Sequence, residues 1–356
     1  MNAGEKVLDR LYSRDFQCDA EWSIRKPNTF RWWAAEHAQT VWIEKEVSPQ
    51  PGQTGYVVSI ATDFIRGIKV PEHLVPSPLK PMMCFASMAT PIWLPEKGEI
   101  RLVSKMVVHE QNWELAAVLL SHSGLLQIYD AKKQAHVLAE LCEGVPNKSG
   151  PKADHLREPF DEMASAVEKL FVPLGKEKGK WTEQEFTETV EKYMHNPPCI
   201  MASGGGQGLT GEFVHGDGTS LFRIFGDEKH SWLGNGLVVT QMFPVPKMTE
   251  NELIRMAIQL NQIEVVEGPW GYGFGSYWTK NDLLVHNAFY PNAAYLKGLL
   301  PNLYFSAANR AKHICKMITG KEWTSESFQK AWEQKKRVLG LVSEKPSFKE
   351  RFRFRP

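Results

Sequence analysis

The sequence predicts an α+β protein made of two tandem modules of order α-β-β-β-α-β-β-α, each an antiparallel sheet packed with helices. Three observations lead there. Helical and strand periodicities come in blocks rather than in strict β-α-β alternation, Gly-rich turns separate the strand-like runs, and the order of blocks recurs in the two halves. A chain of 356 residues fits two domains on length alone. Its 42% hydrophobic and 23% charged residues are those of a globular protein.

The second module is the clearer one and spans residues 180–320. Thr182 and Glu185 form a capping box ahead of Phe186, Val190 and Tyr193, which predicts a short amphipathic helix. Strands are expected at Cys199–Ser203, Thr219–Phe225 and Leu237–Val245, separated by Gly204-Gly205-Gly206, Gly216-Asp217-Gly218 and Gly234-Asn235-Gly236. A second capping box, Thr249 with Glu252, opens a helix lined by Leu253, Met256, Ala257, Leu260 and Ile263. The period then changes to two. In Trp270-Gly271-Tyr272-Gly273-Phe274-Gly275 aromatics and glycines alternate, the pattern of a strand with an aromatic face and a bare face. Asn281-Asp282 turns into the run Leu283–Tyr290, and a long helix from about Leu300 to Ile318 closes the module.

The first module, residues 1–174, is laid on the same template. Glu5–Arg14 reads as a helix. Phe30–Ala34, Thr40–Val47, Gly55–Phe64, Met82–Ala89 and Arg101–His109 read as strands. The proline-rich stretch 71–81 is an insertion expected to lie extended on the surface. Trp113–Leu126 is apolar nearly all round, which predicts a buried helix. Repetition of the second module favours a hairpin next, Gln127–Ala131 with His136–Cys142 about Lys132-Lys133. The rival is one helix from Trp113 through Leu141, because Ile128, Ala131, Ala135 and Leu138 also fit helical spacing. A helix entered through Pro159 carries Phe160, Met163, Val167 and Leu170, and the Gly/Lys-rich stretch 174–180 links the modules. Residues 324–356 form an appended helix, with Phe328, Trp332 and Leu339, and a basic-aromatic tail.

Chemistry-bearing motifs are sparse. Lys and Arg number 42 against 41 Asp and Glu, so no global field recruits nucleic acid or a membrane. The N-terminal stretch is charged where a signal peptide needs apolar residues, and no run reaches the length of a membrane span. Five dispersed cysteines without a CxxC pair argue against a disulfide framework or zinc knuckle, and 11 scattered histidines without HExxH or HxH argue against a metal site. Gly206-Gln207-Gly208-Leu209-Thr210-Gly211 satisfies GxGxxG. A strand-like run follows it, though, where a dinucleotide site needs a helix, so a hairpin loop is expected. No nucleophile elbow or catalytic residue is assigned, and no cofactor is expected.

The remaining candidates are contact residues. Gly206 and Gly208 could line a cleft, and Trp270, Tyr272, Phe274 and Trp278 could form a stacking surface beside it. Adjacent Trp32 and Trp33 face opposite sides of one strand, so one ring is expected outside the main core. In the tail, Arg351, Phe352, Arg353, Phe354 and Arg355 alternate cation and aromatic, suited to adding as an edge strand or to stacking along a nucleic acid.

The segment from Trp181 to about Gly320 resembles the YbjN-like family, which shares its fold with type III secretion chaperones. The resemblance rests on the order of elements, on Ile258-Gln259-Leu260-Asn261 at the end of the middle helix, and on the strand hairpin and long terminal helix that follow. A fainter copy covers residues 1–174. The resemblance implies a compact α+β protein-binding module rather than an enzyme, and it supplies no site residues. Secretion chaperones are usually small acidic homodimers, whereas this chain is long and near neutral. Two fused copies would make a covalent pseudo-dimer, monomeric in solution. The expected function is therefore non-catalytic protein binding, chaperone-like or regulatory, in the cytoplasm, with a protein partner and neither membrane nor nucleic acid. The alternative is a small-molecule-binding protein or enzyme using the cleft between the lobes.

Overall fold

A computed structural model describes residues 1–70, 76–84, 87–152, 155–158, 160–171, 178–194, 199–205, 208–231, 233–245, 248–267 and 273–320. The chain is an α+β protein of two modules with the same strand order. The first comprises α1 (Ala3–Arg10), β1 (Ser23–Lys26), β2 (Thr29–Trp33), β3 (Ala38–Gln50), β4 (Gln53–Arg66), α2 (Pro76–Cys84), β5 (Thr90–Leu94), β6 (Glu99–Val108) and α3 (Trp113–Leu141). The short β7 (Val145–Pro146) and α4 (Glu162–Phe171) complete it. The second comprises α5 (Glu183–Tyr193), β8 (Cys199–Gly205), β9 (Gly208–His215), β10 (Gly218–His230), β11 (Gly234–Pro244), α6 (Glu250–Gln262), β12 (Ser276–Lys280), β13 (Leu283–Pro291) and α7 (Leu299–Thr319). The sheets run β1-β2-β3-β4-β6-β5 and β8-β9-β10-β11-β13-β12, all neighbours antiparallel, with β7 added to β4.

Each module thus has four strands before its middle helix, where three were expected. The extra strand is β9 in the second copy and β1 in the first. Both capping boxes form: Thr182 and Thr249 accept from the amides of Glu185 and Glu252, whose carboxylates accept from the cap amides in return.

Three first-module expectations are corrected. Residues 76–84 form helix α2, neither a surface excursion nor a strand. Leu79, Met82 and Met83 are buried at helical spacing, and Pro76 and Pro78 sit in the first turn, where a missing amide costs no helical bond. Residues 127–142 are not a hairpin, because α3 is continuous to Leu141. Ile128, Ala131, Ala135 and Leu138 are buried along one face, while Lys132 and Lys133 lie on the exposed side of a helix rather than in a turn. Trp32 and Trp33 face opposite sides and Trp33 lies outside the main core, as expected, but both rings are buried, so neither is the exposed contact expected of one of them. Trp32 stacks on Phe16 at 4.8 Å in the core, and Trp33, on the other face, donates to the Ser149 hydroxyl at 3.1 Å.

In both copies a glutamine ties the long helix to the sheet, from β3 in the first and from β11 in the second, strands at different places in the two sheets. In the first, Gln39 Nε2 donates to the Gly124 carbonyl at 2.8 Å and to Thr62 Oγ1 at 2.8 Å. In the second, Gln241 Nε2 donates to the Ala307 carbonyl at 3.0 Å and to Ser220 Oγ at 3.0 Å. The helices match as elements, each following the last hairpin of its module, but α3 lies over β4 and β6 whereas α7 lies over β9 and β10. One cluster of buried side chains runs through both modules, from Val7, Leu120 and Leu126 to Leu209, Phe222 and Phe289, so the copies share a core.

Candidate functional site

The seam between the copies gathers a set of buried polar side chains, among them Asn261, Glu264, Ser276, His286 and Arg310. It is built reciprocally: α2 of the first copy packs on β12 of the second, α6 of the second packs on β5 of the first, and α2 meets α6. Because β5 and β12 are the last strands of their sheets, each copy covers the other's edge. At the end of α6, Gln262 Nε2 donates to the Trp93 carbonyl on β5 at 2.7 Å. At the start of β12, Ser276 Oγ donates to the Met83 carbonyl at the end of α2, at 2.6 Å. Asn261 secures the β12 edge by accepting from the Tyr277 amide at 2.7 Å and donating to its carbonyl at 3.0 Å, with its amide also on Met83 Sδ at 3.2 Å. Between these points Phe289 N donates to the Ser87 carbonyl at 3.2 Å.

Trp278 and Ile258 insert beside the core formed by Phe64, Leu79, Met83 and Ala135 of the first copy. Beyond α6 a π-helical turn, Ile263–Glu267, carries Val265 onto Ala61, Ile92 and Val103, the face of the first sheet turned away from α3. Gly273 then passes close to β6 with φ +58°, and a Cβ there would lie 2.8 Å from the Lys105 carbonyl. Lys105 itself is buried, with Nζ 3.0 Å from Glu44, and Glu44 accepts from Ser59 at 2.6 Å.

Under α7, Arg310 meets Glu264 of the π-helical turn in a two-point fork. Its Nη2 lies 2.7 Å and its Nε 3.1 Å from Oε1, and its Nε lies 3.0 Å from Oε2. Tyr277 donates its hydroxyl to Glu264 Oε2, and the His286 ring stands edge-on to Tyr277 at 4.8 Å. All four side chains are buried. Burial and the Glu264 charge hold the Tyr277 phenol well above its ordinary value. Burial and the Arg310 charge push His286 well below its own, so the imidazole is neutral, and its Nδ1 has no hydrogen-bond partner. Burial disfavours the charged Arg310, but the Glu264 carboxylate more than offsets this and holds it protonated. The space beside the cluster, also lined by Thr90, Phe274 and Gly275, amounts to about 150 Å³ between atoms and admits no water-sized sphere. Thr90 Oγ1 closes it by donating to the Gly275 carbonyl. A buried carboxylate clamped by a guanidinium and a phenol suits fixing one packing arrangement rather than moving protons.

The sequence candidates divide. Phe274 and Trp278 come to the seam, Phe274 fully buried with its ring edge-on to Tyr290 at 6.4 Å. They do not share a stacking strand: Gly273 and Gly275 have φ of +58° and +82°, and β12 begins only at Ser276. The alternating pattern therefore fails over 273–275, where the chain turns to pass the first sheet. Gly208 lies elsewhere, opening β9 opposite Gly205, so the third-glycine helix of a dinucleotide site is missing and the glycines belong to a hairpin. Trp32 and Trp33 lie in the first module, away from this cluster. Gly206, Trp270, Tyr272 and the tail residues 351–355 are outside the described residues. Among the described residues no group of His, Cys, Asp and Glu could hold a metal ion, and no helix is long and apolar enough to cross a membrane.

Sequence reasoning missed Glu264 and Arg310. The available signal was Arg310 itself, a cation in phase with Leu303, Ala307 and Ile314 on the core side of α7, which requires a buried carboxylate opposite. No family model matches the chain, and neither the curated proteins nor the solved structures offer a match to it.

Proposed function

We propose that this chain is a non-catalytic protein-binding module, chaperone-like or a regulatory adaptor, acting in the cytoplasm as a covalent pseudo-dimer. The observation that carries the reading is the reciprocal docking of α2 on β12 and α6 on β5. An isologous contact of this kind is what two identical subunits make about a two-fold axis, and here one polypeptide supplies both sides. Two further features support it. Hydrogen bonds cross the seam from Gln262 to the Trp93 carbonyl and from Ser276 to the Met83 carbonyl, and the space beside its polar cluster admits no water-sized sphere. The common strand order of the two sheets also accords with the resemblance of each half to the YbjN-like and secretion-chaperone fold. In this reading the partner is a protein, the membrane and nucleic acid are not involved, and no cofactor is needed.

The test pairs affinity capture from source-cell lysate with a metabolite thermal-shift screen, both on the full chain. A protein partner recovered in stoichiometric amount, with no metabolite raising Tm, supports the proposal. A metabolite that raises Tm, with the rise abolished in Trp270→Ala, would replace it with a ligand-binding or enzymatic role.

A further inference from the structure

Each sheet has one end covered by the other module. β5 and β12 are met across the seam, which leaves β1 and β8 as the outer strands among the described residues. β1 is guarded, since its four residues include Arg25 and Lys26 and Pro27 follows. β8 carries no charged residue over Cys199–Gly205, and after a register shift at its start it pairs regularly with β9 from Met201 to Gly205. Beside this edge stands α5. It packs on β8 and β9, while α7 packs on β9, β10 and β11, so the flank of α5 turned away from α7 overhangs the β8 end. Tyr193 of α5 meets Phe305 of α7, and Glu185 accepts from Tyr295 just ahead of α7. At 3.6 residues per turn this puts Glu183 and Glu191 on the opposite flank, and both are exposed.

A segment suited to this end lies in the chain itself. Residues 321–356 follow α7 and are outside the described residues, and within them Arg351-Phe352-Arg353-Phe354-Arg355 alternates cation and aromatic with the period of a strand. We propose that residues 351–355 add to β8 as a further edge strand, with their guanidinium groups turned to Glu183 and Glu191 of α5. Lengths agree: Arg351 to Arg355 spans about 14 Å of strand, and Glu183 to Glu191 about 12 Å of helix. Charges agree as well. Four glutamates stand against Lys192 in α5, and four cations against Glu350 in residues 348–355. At β1 the same arginines would meet Arg25 and Lys26. Residues 321–350 give ample reach. Cys315 and Thr319, at the end of α7, lie against Gly218, which pairs with His215, two residues from the Phe213 that faces Cys199 at the start of β8. The inference does not depend on the protein-binding role.

Amide hydrogen exchange on the full chain, read over residues 199–205 and 351–355, tests it beside the Arg351→Glu/Arg353→Glu/Arg355→Glu variant, with native mass spectrometry on both. The expected result is protection of both segments in the native chain and severalfold weaker protection in the variant, each protein being a monomer. Equal protection of 199–205 in the two proteins overturns the inference: weak protection means an open edge, and strong protection in a dimer means that a second copy pairs with β8. Free-chain exchange of 351–355 in the native protein overturns it too. The reciprocal variant, Glu183→Gln/Glu191→Gln, should weaken protection of 351–355 severalfold while α5 exchanges as before. Unchanged protection there would mean that the arginines do not meet α5, and the inference fails.

Discussion

Arg310 of α7 holds Glu264 of the turn after α6 through contacts at 2.7, 3.0 and 3.1 Å, and both side chains are buried. Removing one partner leaves the other as a buried uncompensated charge. Arg310→Met should therefore lower stability by about 3–5 kcal/mol, whereas Arg310→Met with Glu264→Leu should cost less than the single change. Urea midpoints on the three proteins decide the matter. Additive losses would show that the two side chains act independently.

Gly275 sits at the seam with φ +82°, and a Cβ there would lie 2.0 Å from the Asn287 carbonyl and 2.7 Å from the Ala288 Cβ. Backbone atoms and a strand Cβ cannot swing aside as a side-chain tip can. Gly275→Ala should lose about 1–3 kcal/mol to overpacking, with a further left-handed backbone penalty of about 1–2 kcal/mol. Gly52, also left-handed at φ +78° but with nothing within 4 Å, should lose only the backbone part on the same change. Equal losses at the two glycines would mean that the seam has no tight approach at Gly275.

Stability should fall on acidification between about pH 6.5 and 4. Burial lowers the folded-state pKa of His37, His122 and His286, and burial with the Lys312 charge lowers that of His215 to about 4. Across that range the unfolded chain binds protons that the folded chain refuses. The stabilisation is complete above the unfolded pKa near 6.5 and is lost as pH drops toward each folded value. Thermal melts should be level from pH 8 to 7 and fall steadily below pH 6.5, less steeply in His286→Gln. A Tm unchanged between pH 7 and 5 would contradict the burial of these rings.

The buried cysteines should be inert. Burial alone pushes the Cys142 thiol up to about 11 and the Cys315 thiol up to about 12. At pH 8 iodoacetamide should label Cys142 about two and Cys315 about three orders of magnitude more slowly in the native protein than in urea. Labelling of either at the unfolded rate would mean that its surroundings open readily.

The second module was legible almost element by element because its signals are local: two capping boxes, an Asn-Asp turn and the core stripe of α7. In the first module the argument from repetition was sound but aligned from the wrong end. Matching Gln127–Cys142 to a hairpin placed the closing helix too late, after Pro159, when it is α3 itself. The true match sets α3 against α7, each the helix after the hairpin that ends its sheet, β5–β6 and β12–β13. Helix α2 was hidden by its prolines, which read as extended chain until Leu79 and Met83 find apolar partners. Trp278 and Phe274 could be named from composition, but the cluster they border could not. Glu264 and Arg310 are 46 residues apart and meet only once α7 lies across the second sheet.

Native mass spectrometry of the purified chain, alone and with its captured partner, tests the account most directly. A fused pseudo-dimer predicts a single polypeptide of 40.5 kDa when free and one copy of it per partner assembly when bound. An obligate homodimer of the free chain, with no protein partner, would contradict it, because the faces a single module would use to pair are here already joined within one chain.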